Sequence, residues 1–308
     1  MMTDFALIIG EALVDLVKRA DSNEEPTGHP GGSPLNVALT LGRLGRPVEL
    51  ITWVGQDGHG QQILDHVTES GVLVKDEWKN AHHTATAMAL LDQSGAATYQ
   101  FDIDWDLPHT ISIPSEAIFV HSGSLGAALK PGRDRVLEAF ELARETALVS
   151  FDPNARPTIM DPAVQTRPVT EAFIRNADLV KVSDEDLHWL YPDLTTAEAI
   201  AHWFDISSLG LAVLTQGKEG PVAWTREGLR VERRPSSVDV VDTVGAGDSF
   251  MGSLINSLWA RNLTGRAGAK ALGSLSVNDL SSILDEANAV ANVTVSRAGA
   301  NPPWAHEL

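Results

Sequence analysis

From about Ile118 onward, short apolar runs at Ala147 to Phe151, Ala177 to Val182 and Leu211 to Thr215 alternate with amphipathic segments of helical period, including Arg133 to Glu145 and Ala197 to Phe204. A strand–helix–strand rhythm can bury its apolar faces in few ways. It predicts an α/β fold with a mainly parallel sheet flanked by helices on both faces. The opening run from Ala6 to Ile9 reads as one more buried strand. Between these lie pieces of a different kind. Ala12 to Val17 is extended and carries one carboxylate, Asp15, among apolar neighbours. Thr84 to Leu91 and Ala97 to Ile103 are extended runs joined by Asp92-Gln93-Ser94-Gly95, which suits a hairpin turn. Together they predict a small β-sheet lid, formed by about residues 11–26 and 84–104, within a single domain spanning 1–308. With 308 residues, 43% of them hydrophobic, the chain can bury a large core, and no repeat or long Gly/Ser linker divides it.

The strongest chemical signal is Val241-Asp242-Thr243-Val244-Gly245-Ala246-Gly247-Asp248-Ser249-Phe250. Val238, Val240 and Val241 alternate like a strand, while Phe250, Leu254 and Leu258 recur every fourth residue like a helix face. Only the Gly-Ala-Gly turn separates them. Small residues there let the N–H groups from Gly245 to Asp248 point outward together, at the end of the helix whose dipole favours negative charge. That is a cradle for an anion, although taken alone the motif reads equally as a plain helix N-terminus with a favourable Asp. Asp248, in the first helical turn, is kept ionised by the same dipole and can accept a hydroxyl proton while the cradle stabilises a phosphoryl group in transfer. The dinucleotide fingerprint G-x-G-x-x-G fails because Phe250 occupies its last glycine. A Walker-type loop fails because Glu219 follows Gly217-Lys218 and Ala212 replaces the upstream glycine.

Other motifs are weaker alone. Pro30-Gly31-Gly32-Ser33-Pro34-Leu35-Asn36 reads as a glycine turn leading into a helix, with Ser33 as N-cap, Pro34 in its first position and Gly45 closing it. Asn36 in the first turn offers a donor and an acceptor to sugar hydroxyls, although read alone such a segment is more often a capped structural helix. Asp152-Pro153-Asn154-Ala155-Arg156 follows a strand, at the edge where open α/β sheets bind ligands, and a guanidinium there can hold phosphate or a hydroxyl. Ser183 with Asp186 resembles a capping box, and its carboxylates could also organise waters around Mg²⁺. Thr215-Gln216-Gly217-Lys218-Glu219-Gly220 leaves its strand through two glycines, a shape suited either to passing under a nucleotide or to an ordinary turn.

Composition narrows the partners. Lys and Arg total 23 against 41 Asp and Glu, and the net charge of −18 repels nucleic acid and anionic membranes, so anionic substrates must be held by local dipoles. Without cysteine there are no disulfides, thiolate metal sites or cysteine nucleophiles. The ten histidines, His82-His83 among them, include no zinc-motif spacing, and tryptophans such as Trp53, Trp105 and Trp224 suit core or rim packing. The start lacks a charged leader and no apolar segment is long enough to span a bilayer, which predicts a cytoplasmic protein.

Taken together, Gly31 to Ala38 and Asp242 to Phe250 resemble the two signature regions of the ribokinase-like PfkB carbohydrate kinases. The resemblance covers nearly the whole chain and extends in order through Gly10-Glu11 to Asp15, Val54-Gly55-Gln56-Asp57, Asp152-Pro153-Asn154, Thr215 to Gly220 and Arg297-Ala298-Gly299-Ala300. The Asp152 to Arg156 and Lys181-Val182-Ser183 elements are most similar to bacterial fructokinases. The resemblance implies a Rossmann-type core with a β lid, ATP and Mg²⁺, and transfer of the γ-phosphoryl group to a primary sugar hydroxyl, first of all that of fructose. It implies Asp248 as base, Gly245, Ala246 and Gly247 as anion hole, and Asp15, Gly31, Gly32 and Asn36 as sugar contacts, with Asn154 and Arg156 added near the acceptor. Lys181, Thr215, Gly217, Lys218, Gly220 and Asn288 fall on nucleotide-side positions. Asp242, Val244, Arg297 and Gly299 match the loop pair that in many members holds a monovalent cation, K⁺ being the candidate. One departure concerns Asp186: the family often has Asn-x-x-Glu there, and the shorter carboxylate reaches less far toward magnesium waters. Other acceptors (2-keto-3-deoxygluconate, ribose, a nucleoside), a sugar- or nucleotide-sensing protein without catalysis and, more remotely, a nicotinamide oxidoreductase are the competing readings, and exposed lid strands leave a homodimer open.

Overall fold

A computed structural model describes residues 3–19, 26–91 and 97–308 and places the strands in two sheets. The larger contains β1 (Phe5–Ile9), β4 (Val48–Ile51), β5 (Val72–Leu73), β8 (Ala117–Gly123), β9 (Leu148–Asp152), β10 (Leu179–Ser183), β11 (Leu211–Thr215), β12 (Pro221–Thr225) and β13 (Arg230–Glu232). Its order is β13-β12-β11-β10-β9-β8-β1-β4-β5, parallel from β11 to β5 and antiparallel at β12 and β13. The smaller sheet contains β2 (Leu13–Arg19), β3 (Thr27–Gly31), β6 (Thr86–Leu91) and β7 (Ala97–Asp102), in the order β3-β2-β6-β7. Its outer pairs are antiparallel and its central pair is parallel.

The helices are α1 (Ser33–Arg43), α2 (Gly58–Glu69), α3 (Ser124–Ala128), α4 (Gly132–Ala143), α5 (Ala163–Asn176), α6 (Asp184–Leu190), α7 (Thr196–Ile206), α8 (Ala246–Ala260), α9 (Gly265–Ala271) and α10 (Val277–Val295). From β1 the chain winds one way to β4 and β5, and from β8 it winds the other way to β9, β10 and β11. Right-handed crossovers therefore put α1 and α2 on one face and α4 to α7 on the other. The strand order reverses between β1 and β8, and a crevice opens outside the carboxyl ends of strands at such a point. The strands read as continuous apolar runs because both faces are covered. Leu7, Ile8 and Ile9 are at most 1% exposed, each contributing roughly 1.5–3 kcal/mol of burial.

Several local expectations change. No strand forms at Val238 to Val241; the segment is an irregular loop with exposed valines, and Val238 and Val240 line a cavity instead of a sheet face. Gly31 is not in a turn but ends β3, and only Gly32, at φ 116°, turns the chain. Ser33 does not cap α1, because Gly32 occupies that position and the Ser33 hydroxyl is used elsewhere. The smaller sheet extends past the expected limit at 26 through β3, while the Asp92 to Gly95 turn lies outside the described residues.

Candidate active site

Parallel strands bring the ends of β1, β8, β9, β10 and β11 to one edge of the large sheet, and α8, packed against α1 and α10, presents its N-terminus there. Gly245 at φ 75° makes the turn into α8 in a conformation that favours glycine, and the first N–H groups of any helix lack partners within it. Asp248 lies in that first turn, 6% exposed. Its Oδ1 accepts from Ser33 Oγ at 2.7 Å and from Asn154 Nδ2 at 3.2 Å, and its Oδ2 accepts from Asn36 Nδ2 at 2.8 Å. Asn154 adopts φ 37°, a left-handed conformation asparagine tolerates, as the chain turns after β9. Burial pushes the Asp248 carboxyl above the usual aspartate range, while Asn36, Ser33 and Lys181 pull the other way. Such a carboxylate is better matched to accepting a proton than a solvated one.

Behind Asp248 sits a buried ion pair, Lys181 Nζ to Asp152 Oδ2 at 2.8 Å, with side chains 4% and 0% exposed. Burial would lower the Lys181 pKa, but Asp152, helped by Asp248 and Asp186, outweighs it and raises it. A Cβ on Gly247 would stand 2.8 Å from Lys181 Nζ, so the ammonium lies directly against the glycine turn. Lys181 is thus beneath the turn and is not among the residues lining the neighbouring cavity. Ser183 caps α6, accepting from the Asp186 N–H at 3.0 Å, as the sequence predicts. Burial, then Asp152, raises the Asp186 pKa.

Gly247 borders a cavity, and the adjacent Asp248 is tied through its partners toward the small sheet. On one side a cavity of about 560 Å³ is lined by Thr215, Gly217, Lys218, Gly220, Gly247 and Asn288, together with Pro235 to Val238, Val240 and Asn292, which sequence reasoning did not assign to a site. Their signal was present, since Pro235-Ser236-Ser237 ahead of exposed valines is poor material for a buried strand. On the other side the small sheet approaches Asp248's partners. Leu13, Ala85 and Ala87 pack with Leu125, Ala155 and Met160 in a separate apolar cluster. Asp15 keeps an exposed edge, its carboxylate lies over Gly31, and burial raises its pKa while Arg156 opposes. Arg156 bonds back to Asn154 Oδ1 at 2.7 Å.

Of the four residues that the resemblance implies for a monovalent cation, Asp242, Val244 and Gly299 converge. Asp242 accepts from the Val244 N–H at 3.0 Å and the Gly299 N–H at 2.8 Å, which together hold its carboxyl below the usual range. Arg297 instead pairs with Glu307. Glu11, beside Gly10 at the end of β1, is 3% exposed at the switch point and takes no part in the site expected from the sequence. It accepts the Gly126 N–H at 2.7 Å and the Ser33 N–H at 3.3 Å, and burial pushes its pKa up to about 7.

A nine-stranded α/β sheet with a small accessory sheet and a buried carboxylate behind a glycine turn defines a sugar-kinase architecture, and the pfkB family carbohydrate kinase model matches residues 3–307. The chain belongs to that family and is a phosphotransferase acting on a sugar hydroxyl. It is 30% identical over 310 residues to Probable fructokinase-4 of Arabidopsis thaliana, covering 95% of this chain and 91% of the relative. It is 29% identical to the fructokinase of Salmonella typhimurium, covering 83% and 85%. The fructokinase of Xylella fastidiosa crystallised with ATP superposes with a TM-score of 0.80 at 25% identity, over 97% of this chain and 94% of that one.

Proposed function

We propose that the protein transfers the γ-phosphoryl group of ATP to the primary 6-hydroxyl of fructose. The observation that carries this reading is the adjacency of Gly247, on the 560 Å³ cavity wall, and Asp248, tied to Asn36 and Asn154 on the opposite side. ATP fits the cavity because it combines apolar walls at Val238, Val240 and Val295 with Lys218 and the buried amide of Asn288, whose Nδ2 lacks a protein partner. The acceptor lies between the small sheet and the Asn154 to Arg156 turn, where Asp15, Asn36 and Arg156 address hydroxyls and Gly31 and Gly32 leave room. Asp248 takes the hydroxyl proton as the oxygen attacks. The amides of Gly245 to Gly247, reinforced by Lys181, meet the charge on the transferred group.

Asp152, Asp186 and Asp248 all lie near Lys181, which neutralises Asp152, and among the described residues no three such side chains converge closely enough to hold a metal ion directly, so a divalent cation here would keep its waters. Asp186 and Asp152 would hold Mg²⁺ through its waters, and the ion when bound supplies charge neutralisation on the phosphates. The ionised Asp242 between two loops suits K⁺, with Val244, Arg297 and Gly299 in its surround. The small sheet acts as a lid within one kinase domain, excluding water so that transfer prevails over hydrolysis. On this reading the protein sits in the cytoplasm, and the β3 and β7 edges offer a dimer contact. Among the described residues no helix is long and apolar enough to cross a membrane.

The test is ATP consumption with Mg²⁺ and K⁺ over fructose, 2-keto-3-deoxygluconate, ribose, fructose 1-phosphate and adenosine, with each phosphorylated product identified. Selective formation of fructose 6-phosphate is expected. Preferred turnover of another acceptor overturns the substrate, and ATP binding without any turnover favours a sensing role.

A further inference from the structure

The segment that follows α10 runs back over the start of α8 and is pinned at two places. Glu307 accepts from Arg297 through both carboxylate oxygens, at 2.6 and 3.2 Å, and from the Trp304 N–H at 2.7 Å. Arg43, at the end of α1, donates to Asn301 Oδ1 at 2.6 Å and to the Pro302 carbonyl at 2.7 Å, and its guanidinium stacks on the Trp304 ring at 5.3 Å. Between these pins lie Gly299, whose N–H holds Asp242, and Ala300, whose Cβ stands 2.5 Å from where a Cβ on Gly245 would be. Asp242 in turn holds the Val244 N–H just ahead of the glycine turn.

We propose that Glu307 and Arg43 are positioning residues that clasp the 297–302 loop against Gly245 and so set the geometry of the anion-binding amides at the start of α8. A short contact chain supports it: Glu307 fixes Arg297, the loop fixes Asp242 and abuts Gly245, and Gly245 begins the turn. Loss of one oxyanion donor costs about a hundredfold or more in turnover, and a group acting through two intermediaries is expected to cost a fraction of that, roughly tenfold.

The inference rests on the kinase reading for its catalytic consequence, and the test separates the two. Amide hydrogen exchange of the full-length protein is measured for wild type, Glu307→Gln and Arg43→Gln, alongside steady-state turnover. Both substitutions are on exposed or half-buried side chains away from the core, and each breaks a different pin. Exchange in residues 242–249 is expected to speed up at least about fivefold in each variant, with kcat falling roughly tenfold while KM for ATP and acceptor stays within about twofold. Wild-type exchange in 242–249, with faster exchange confined to 297–308, overturns the clasp whatever the acceptor proves to be. So does faster exchange there with unchanged kcat in an enzyme that turns over sugar. Accelerated exchange in a protein without sugar turnover instead rejects the kinase reading and leaves the mechanical coupling standing.

Discussion

Asp248 differs from an ordinary helix-initiating aspartate in being buried and held by three side-chain donors, from Ser33, Asn36 and Asn154. Replacing it by Asn keeps the shape and removes the proton acceptor. Asp248→Asn is expected to lower kcat by at least about a hundredfold with an unchanged circular dichroism spectrum, and near-normal turnover would remove it from the base role. Ser33 shows what a local reading misses: its place before a proline predicts a cap, yet its hydroxyl reaches a residue 215 positions away. Glu11 makes the pH prediction. Its pKa rises from 4.5 to about 7, so the folded state keeps a proton that the unfolded state loses between those values. The group's contribution to stability is complete below about pH 4.5 and declines as pH rises through 7, by about 3 kcal/mol in all. Urea unfolding from pH 5 to 8 is expected to show that decline, and Glu11→Gln to flatten the slope; an unchanged slope would assign the pH dependence to other groups.

At the level of elements, Asp57 joins two pieces of structure. It caps α2 through the Gly60 N–H at 2.8 Å and receives the Thr84 N–H and hydroxyl at 2.8 and 2.7 Å, just before β6 enters the small sheet. Burial alone would raise its pKa, but Gly60 and Thr84 hold it low. Asp57→Ala removes a cap worth about 1 kcal/mol and releases the root of β6. A lower unfolding midpoint together with a raised acceptor KM is expected, whereas a stability loss with unchanged KM would make the residue purely structural. The parallel strands and α8 were legible because their periodicity is dictated locally by burial on both faces. Val238 to Val241 misled because an apolar cavity wall and a half-buried strand share the same period of two.

The whole molecule carries a net charge of −18, yet one sheet edge brings together the α8 N-terminus, Lys181 and Arg156. Raising salt from about 10 to 150 mM shrinks the screening length from about 30 to about 8 Å. Choline chloride and KCl are therefore both expected to raise the unfolding midpoint by screening, KCl by more because K⁺ held at Asp242 also stabilises the folded state, while KCl alone raises kcat; equal effects of both salts on kcat would argue against a specific cation at Asp242. Residue order sufficed for the α/β class, the strand–helix rhythm, the glycine turn with its aspartate and the family resemblance, because these depend on neighbours a few positions apart. Chain folding settled that Ser33, Asn36 and Asn154 share one carboxylate, that Lys181 lies under Gly247 paired with Asp152, and that the 297–302 loop braces Gly245. Those contacts join positions from 29 to more than 200 residues apart, and no local period or propensity carries information about which distant side chains a sheet edge will bring within hydrogen-bonding distance.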